Sequence, residues 1–181
     1  VCVAFEYNLH TFSLTVQYID RFLSQTQNDL PIKDFQLVGI TCLSLASKIE
    51  EAYDVRTLKE LVYVTDNTYT WKDIEAFELQ VCECFSWNLY EPTSYMFACH
   101  YLFKSNNDNE EKIMTLNLDI LIIAVFFNYK LSIAHTARAL AAACCILVQF
   151  LEKRKEEPSR RFSLRVFIQT CCSILKNEAD S

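Results

Sequence analysis

The chain has 181 residues, a net charge of −6, 51% apolar and 22% charged side chains, and a single glycine where about a dozen would be ordinary. Gly-rich phosphate loops, dinucleotide fingerprints and hairpin-rich barrels or sandwiches all need residues that tolerate φ > 0. P-loop and Rossmann enzymes and most all-β folds are therefore excluded, and the negative charge argues against a chain whose task is to neutralise phosphates.

What remains is a mostly helical protein, and its elements can be read in chain order. Residues 12–24 place Phe12, Val16, Ile19 and Phe22/Leu23 at three- and four-residue spacing, which predicts an amphipathic helix. After a polar break and Pro31, residues 32–51 predict a helix that is apolar nearly all round, and such a helix is normally surrounded by others. Gly39 and Ser44 on it would let neighbours approach closely. Thr57 with Glu60 predicts a capping box opening a short helix over 57–64. Thr70 and Asp73 open another over 70–87, with Ile74, Phe77, Val81, Cys84 and Phe85 on one stripe.

Pro92 marks a boundary, because the residue before proline disfavours the helical region. The pattern then starts again, with helices expected over 93–104, 110–128 and 132–152. The last is again apolar nearly all round, with an Ala/Cys-rich centre. Glu152–Arg161 reads as a mixed-charge loop, and Phe162–Leu175 as one or two short closing helices. The two buried central helices are offset by roughly 99 residues, so by internal symmetry the first helix of the first unit would begin before Val1.

Nine cysteines in an odd set without any CxxC spacing, and three separated histidines, give no metal-ligand pattern. They read as free, reduced side chains packing as small hydrophobes. No signal-peptide pattern is visible, and no uninterrupted apolar run reaches the roughly 18 residues of a membrane span.

At this point particular segments carry a resemblance. These are Tyr18-Ile19-Asp20-Arg21-Phe22-Leu23-Ser24, Gln36-Leu37-Val38-Gly39 and Leu45-Ala46-Ser47-Lys48-Ile49-Glu50-Glu51. Tyr63-Val64-Thr65-Asp66-Asn67-Thr68-Tyr69-Thr70, Trp87-Asn88-Leu89 and Pro92-Thr93 follow in order. Together they resemble the cyclin family, most closely its A/B-type (mitotic) members, over essentially the whole chain. The resemblance implies an all-α fold of two tandem five-helix boxes, each around a buried third helix, with the first and last helices truncated or short. Box 1 would span 1–90 and box 2 would span 91–181.

The resemblance further implies a regulatory subunit, without catalysis of its own, that binds and activates a cyclin-dependent kinase and acts at G2/M or S/G2. Lys48 and Glu78 occupy the kinase-gripping positions; Ile49, Cys82, Trp87 and Leu89 would surround them with apolar contacts, and Glu51 would sit nearby. Lysine donates and glutamate accepts, so the pair could satisfy backbone carbonyls and amides of a partner segment. Each residue also has a plainer role open to it: a lysine near a helix C-terminus is favoured by the macrodipole in any helical protein. Glu50 and Glu51 are disfavoured there, which suggests a reason outside the helix.

Of the substrate-docking patch of such cyclins, for kinase substrates or inhibitors, only Val1, Phe35, Gln36 and Val64 match, and a usual basic residue is Ile32. Arg161-Phe162-Ser163-Leu164 fits the short R-x-x-L pattern at chance level. Cofactors, nucleic acid and membranes are not expected as partners, and the expected localisation is nucleus and cytoplasm. An enzyme would need a nucleophile–base pair, a metal cluster or a glycine-built anion site, and none is legible. The alternative is a cyclin-fold adaptor in a transcription or other complex. A nucleic-acid adaptor would need a basic face, yet the densest basic cluster, Lys153–Arg161, is interleaved with Glu156 and Glu157.

Overall fold

Polar side chains set the helix starts in the structure, a computed structural model that describes residues 1–26, 30–51, 57–103 and 108–156 (backbone only at 103, 108–116 and 152–156). Asn8 accepts from the Thr11 amide at 3.0 Å and opens α1, Leu9–Gln25. A 3-10 turn, Ile32–Asp34, leads into α2, Phe35–Glu50. The two capping boxes expected from sequence are present: Thr57/Glu60 opens α3, Leu58–Val64, and Thr70/Asp73 opens α4, Trp71–Cys84. The Thr70 hydrogen bonds hold the Asp73 carboxyl below its usual range. Then come α5, Ser94–Phe103; α6, Asp108–Phe127; α7, Tyr129–Ala134; and α8, Ala137–Glu156. The chain divides into two compact units, Val1–Glu91 and Pro92–Ser181.

In the first unit α2 is the axis, packed by α1, α3 and α4. Every residue from Ile40 to Ser47 is buried, as the all-round apolar pattern predicts. One core cluster joins Leu14, Tyr18 and Phe22 of α1 to Val38, Cys42, Leu45 and Ala46 of α2 and to Val81, Cys82 and Phe85. A second joins Ile40, Leu43, Leu61 and Ile74. Burial pushes the Cys42 thiol up to about 12, so it stays a neutral packing group.

The buried line of α1 is Thr11, Leu14, Tyr18 and Phe22, while Phe12, Val16, Ile19 and Leu23 are only half-buried. The predicted stripe is rotated because the small Thr11, Ser13 and Thr15 fit against neighbours more closely than hydropathy alone suggests.

In the second unit α8 takes the axial place, packed by α5 and α6. It buries Ala139, Leu140, Ala141, Cys144, Cys145 and Val148. The helix expected over 132–152 is in fact two. His135 is extended, and the Thr136 hydroxyl accepts from the Ala139 amide at 3.3 Å to start α8 afresh. Thr136 is a cap hidden inside an apolar run. The mixed-charge loop expected from Glu152 instead begins as helix, since α8 continues to Glu156. The expected closing helices in Phe162–Leu175, the remainder of that loop and the R-x-x-L segment lie outside the described residues.

Glycine scarcity has a different meaning in the structure than in the sequence. Among the described residues the five with positive φ are all non-glycine: Glu6, Asp66, Asn67, Ser86 and Trp87. Three of them end helical turns in Schellman geometry. Tyr7 N–H reaches Cys2 O at 3.0 Å across Glu6, Asn67 N–H reaches Val62 O at 3.1 Å across Asp66, and Trp87 N–H reaches Cys82 O at 2.8 Å across Ser86. Gly39 serves no such end and no close approach, because a Cβ added there would meet nothing within 4 Å. The close-packing expectation for Gly39 is thus corrected.

Candidate functional site

Glu78 lies two turns into α4 and points at α2, where it is 8% exposed. Residues 44 and 48 are one turn apart on α2 and so share a face. Both meet that carboxylate. Lys48 Nζ lies 2.6 Å from Oε1 and 2.7 Å from Oε2, and Ser44 Oγ donates to Oε1 at 2.6 Å. The Lys48 side chain is 42% exposed while that of Glu78 is 11% exposed, so the pair is half wet: anchored on the acid side, open on the lysine side. Charge-assisted hydrogen bonds of this kind contribute about 1.5–3 kcal/mol, less here because water screens the lysine.

Beside the pair runs an open groove of about 570 Å³. Leu45, Ala76 and Cys82 supply small apolar lining, Leu79 and Trp87 are its exposed hydrophobic members, and Lys72 and Glu75 add charge. Burial, and then the charge of Glu78, raise the Cys82 thiol above its usual value, which keeps it a neutral lining group.

Trp87 is 63% exposed, an unusual state for a large aromatic side chain. The Schellman end of α4 places both Ser86 and Trp87 in the left-handed region, at φ 50° and 61°. Such a conformation costs about 1–3 kcal/mol per non-glycine residue and persists only where surroundings enforce it. Here α1 does so. The Tyr18 hydroxyl donates to Leu89 O at 2.5 Å, Arg21 donates to Asn88 O at 2.8 Å, and its guanidinium lies 4.3 Å from the Phe85 ring centre. Tyr18 and Arg21 thus hold the segment that carries Trp87.

Of the residues expected in the site, Glu78, Cys82 and Trp87 line this groove and Lys48 is bound to Glu78. Ile49 is exposed on the last turn of α2. Leu89 instead packs against the first core cluster. Glu51 has an internal partner: its Oε1 accepts from the Asn8 amide at 2.9 Å and from the Thr11 hydroxyl at 2.6 Å, tying the C-terminus of α2 to the N-terminus of α1. The acid that the α2 dipole disfavours satisfies donors at the start of α1.

Val1, Phe35 and Gln36 are exposed, whereas Val64 packs against the second core cluster. Sequence reasoning missed Ser44, Leu45 and Leu79. The spacing of Ser44 from Lys48 was a usable signal once Lys48 was singled out. No helix among the described residues is long and apolar enough to cross a membrane.

Among the described residues the first unit is all-helical and wrapped around one buried helix, with an ion pair and an exposed tryptophan beside a groove, and its architecture is that of the cyclin fold. The fold is similar to that in the X-ray structure of a viral cyclin from herpesvirus saimiri, at a TM-score of 0.69, covering 99% of this chain and 75% of that one at 18% identity. Residues 1–90 match the family model for the cyclin N-terminal domain, and the chain belongs to the cyclin family. It is similar to the G2/mitotic-specific cyclin-A of Hydra viridissima, 32% identical over 176 residues that cover 96% of this chain and 41% of that protein. It is also similar to Cyclin-B1-2 of Arabidopsis thaliana, 41% identical over 114 residues covering 63% of this chain and 25% of that protein. The chain thus spans between a quarter and about two-fifths of the length of these two relatives.

Proposed function

We propose that this chain binds and activates a cyclin-dependent serine/threonine kinase through its first unit, residues 1–90 acting as the first cyclin box and 91–181 as the second. The observation that carries the reading is the Lys48–Glu78 pair set at the edge of the groove with Trp87. Two of three lysine protons go to the carboxylate, which leaves one donor facing water and one carboxylate acceptor position unfilled. A partner helix end, with unpaired backbone groups, could use both while an apolar side chain enters the groove beside Trp87. Seating the kinase's mobile helix this way would let its own Lys–Glu pair form and align the ATP phosphates. Timing at S/G2 or G2/M belongs to the same reading, supported by the names of the A- and B-type relatives.

The test is a phosphorylation assay on a histone-type substrate with purified kinase and chain. Lys48→Ala combined with Glu78→Ala is expected to keep helical circular dichroism and lose activation by at least a hundredfold. Full activation by that variant would contradict the assignment. Association of the unaltered chain without any activation would favour the adaptor alternative.

A further inference from the structure

Resting on the kinase-binding reading, we propose that Ser44 is the positioning residue of the site: its hydroxyl fixes which edge of the Glu78 carboxylate is offered to the partner. Ser44 is 1% exposed, in the middle of the most buried helix of its unit. A hydroxyl in such a place is unfavourable unless it is hydrogen-bonded. Its partner is a carboxylate oxygen contributed from 34 residues away, at 2.6 Å.

The arrangement of donors gives that contact its consequence. Oε1 receives both Ser44 and Lys48, while Oε2 receives Lys48 alone. Of the roughly four acceptor positions of a carboxylate, three are filled and the free one lies on Oε2. Lys48 cannot fix this by itself. Its ammonium ends a flexible four-carbon stem with rotatable donors, and the terminal torsion of a glutamate is broad. Ser44, on rigid buried backbone, holds Oε1 inward and leaves Oε2 for the partner. When Lys48 turns to a partner carbonyl, Ser44 remains as the donor that keeps a nearly buried carboxylate satisfied.

The experiment is a titration of the full chain with a cyclin-dependent kinase, using wild type, Ser44→Ala, Glu78→Gln and the double variant, each with a thermal melt. Losing the preset orientation reduces the competent fraction and weakens apparent affinity in proportion. Ser44→Ala is expected to bind about tenfold more weakly than wild type, and Ser44→Thr, which keeps the hydroxyl, to bind within about threefold of it. In the Glu78→Gln background, Ser44→Ala is expected to have no further effect. Wild-type affinity for Ser44→Ala would overturn the proposal, as would a tenfold loss that persists beside Glu78→Gln, since that marks a packing role. Wild-type affinity for Glu78→Gln, with Lys48→Ala measured beside it and also at wild-type affinity, would instead remove the functional reading on which the proposal rests.

Discussion

The two axial helices solve one packing problem with different chemistry. The buried set of α2 includes Thr41, Ser44 and Ser47 among Val38, Ile40, Leu43 and Leu45, whereas the described buried residues of α8 are alanine, leucine, cysteine and valine. Small side chains let helices approach in both. In α2, however, Ser44 and Lys48 are spent on a carboxylate of another helix, and Glu51 beyond its end is spent on the start of α1. A polar group in a core helix is unfavourable unless paired, and of Thr41, Ser44 and Ser47 only Ser44 is paired to another helix: Ser47 bonds Ser44 O within α2, and the Thr41 hydroxyl has no hydrogen-bond partner among the described residues. The first unit is stitched by long-range polar contacts around its groove. The axis of the second is an apolar packing scaffold among the described residues.

That contrast can be broken by mutation. The largest effect is expected at the scaffold: Ala141 is fully buried, and Ala141→Leu should destabilise by about 3 kcal/mol through overpacking, read as a lower urea midpoint. A change below about 1 kcal/mol would mean that α8 is loosely packed. Next is the stitching in the first unit. Arg21→Ala loses the bond to Asn88 O and the contact over Phe85, and should cost about 2 kcal/mol. Arg21→Lys should recover less than half, since lysine has no planar fork to share between carbonyl and ring. Little of this loss belongs to Glu91, whose ion pair is 3.4 Å long and half exposed. The smallest effect has the opposite sign. Gly39→Ala has free space for its methyl and should stabilise by up to about 1 kcal/mol through helix propensity. A loss of stability would restore the close-packing role that the structure denies.

Much of the fold was legible because its signals are local. The capping boxes at Thr57 and Thr70 act across three residues, and the buried centre of α2 shows in its own composition. The misses share a cause in the opposite direction. Thr136 caps a helix within an apolar run that reads as continuous. Glu6, Asp66 and Ser86 hold left-handed conformations that sequence assigns to glycine, and tertiary contacts such as those of Arg21 and Tyr18 with the segment after α4 enforce one of them. Glu51 reads as an acid awaiting an outside partner because its true partner lies 40 and more residues back. In the site, resemblance alone assigns Lys48 and Glu78 to one kinase-gripping position; their ion pair with each other is a finding of the structure, and no spacing rule could join positions 30 residues apart.

The central claim, that the groove beside Lys48 and Glu78 is the kinase-binding face, is tested most directly by ¹⁹F NMR. The chain holds two tryptophans, Trp71 and Trp87, so 5-fluorotryptophan labelling gives two resonances against an unlabelled, silent kinase. Trp87 lines the groove and Trp71 does not. On titration with a cyclin-dependent kinase, the account predicts that the Trp87 resonance shifts at a stoichiometric endpoint by several times the change at Trp71. A complex that forms while Trp87 stays at its free position would contradict it.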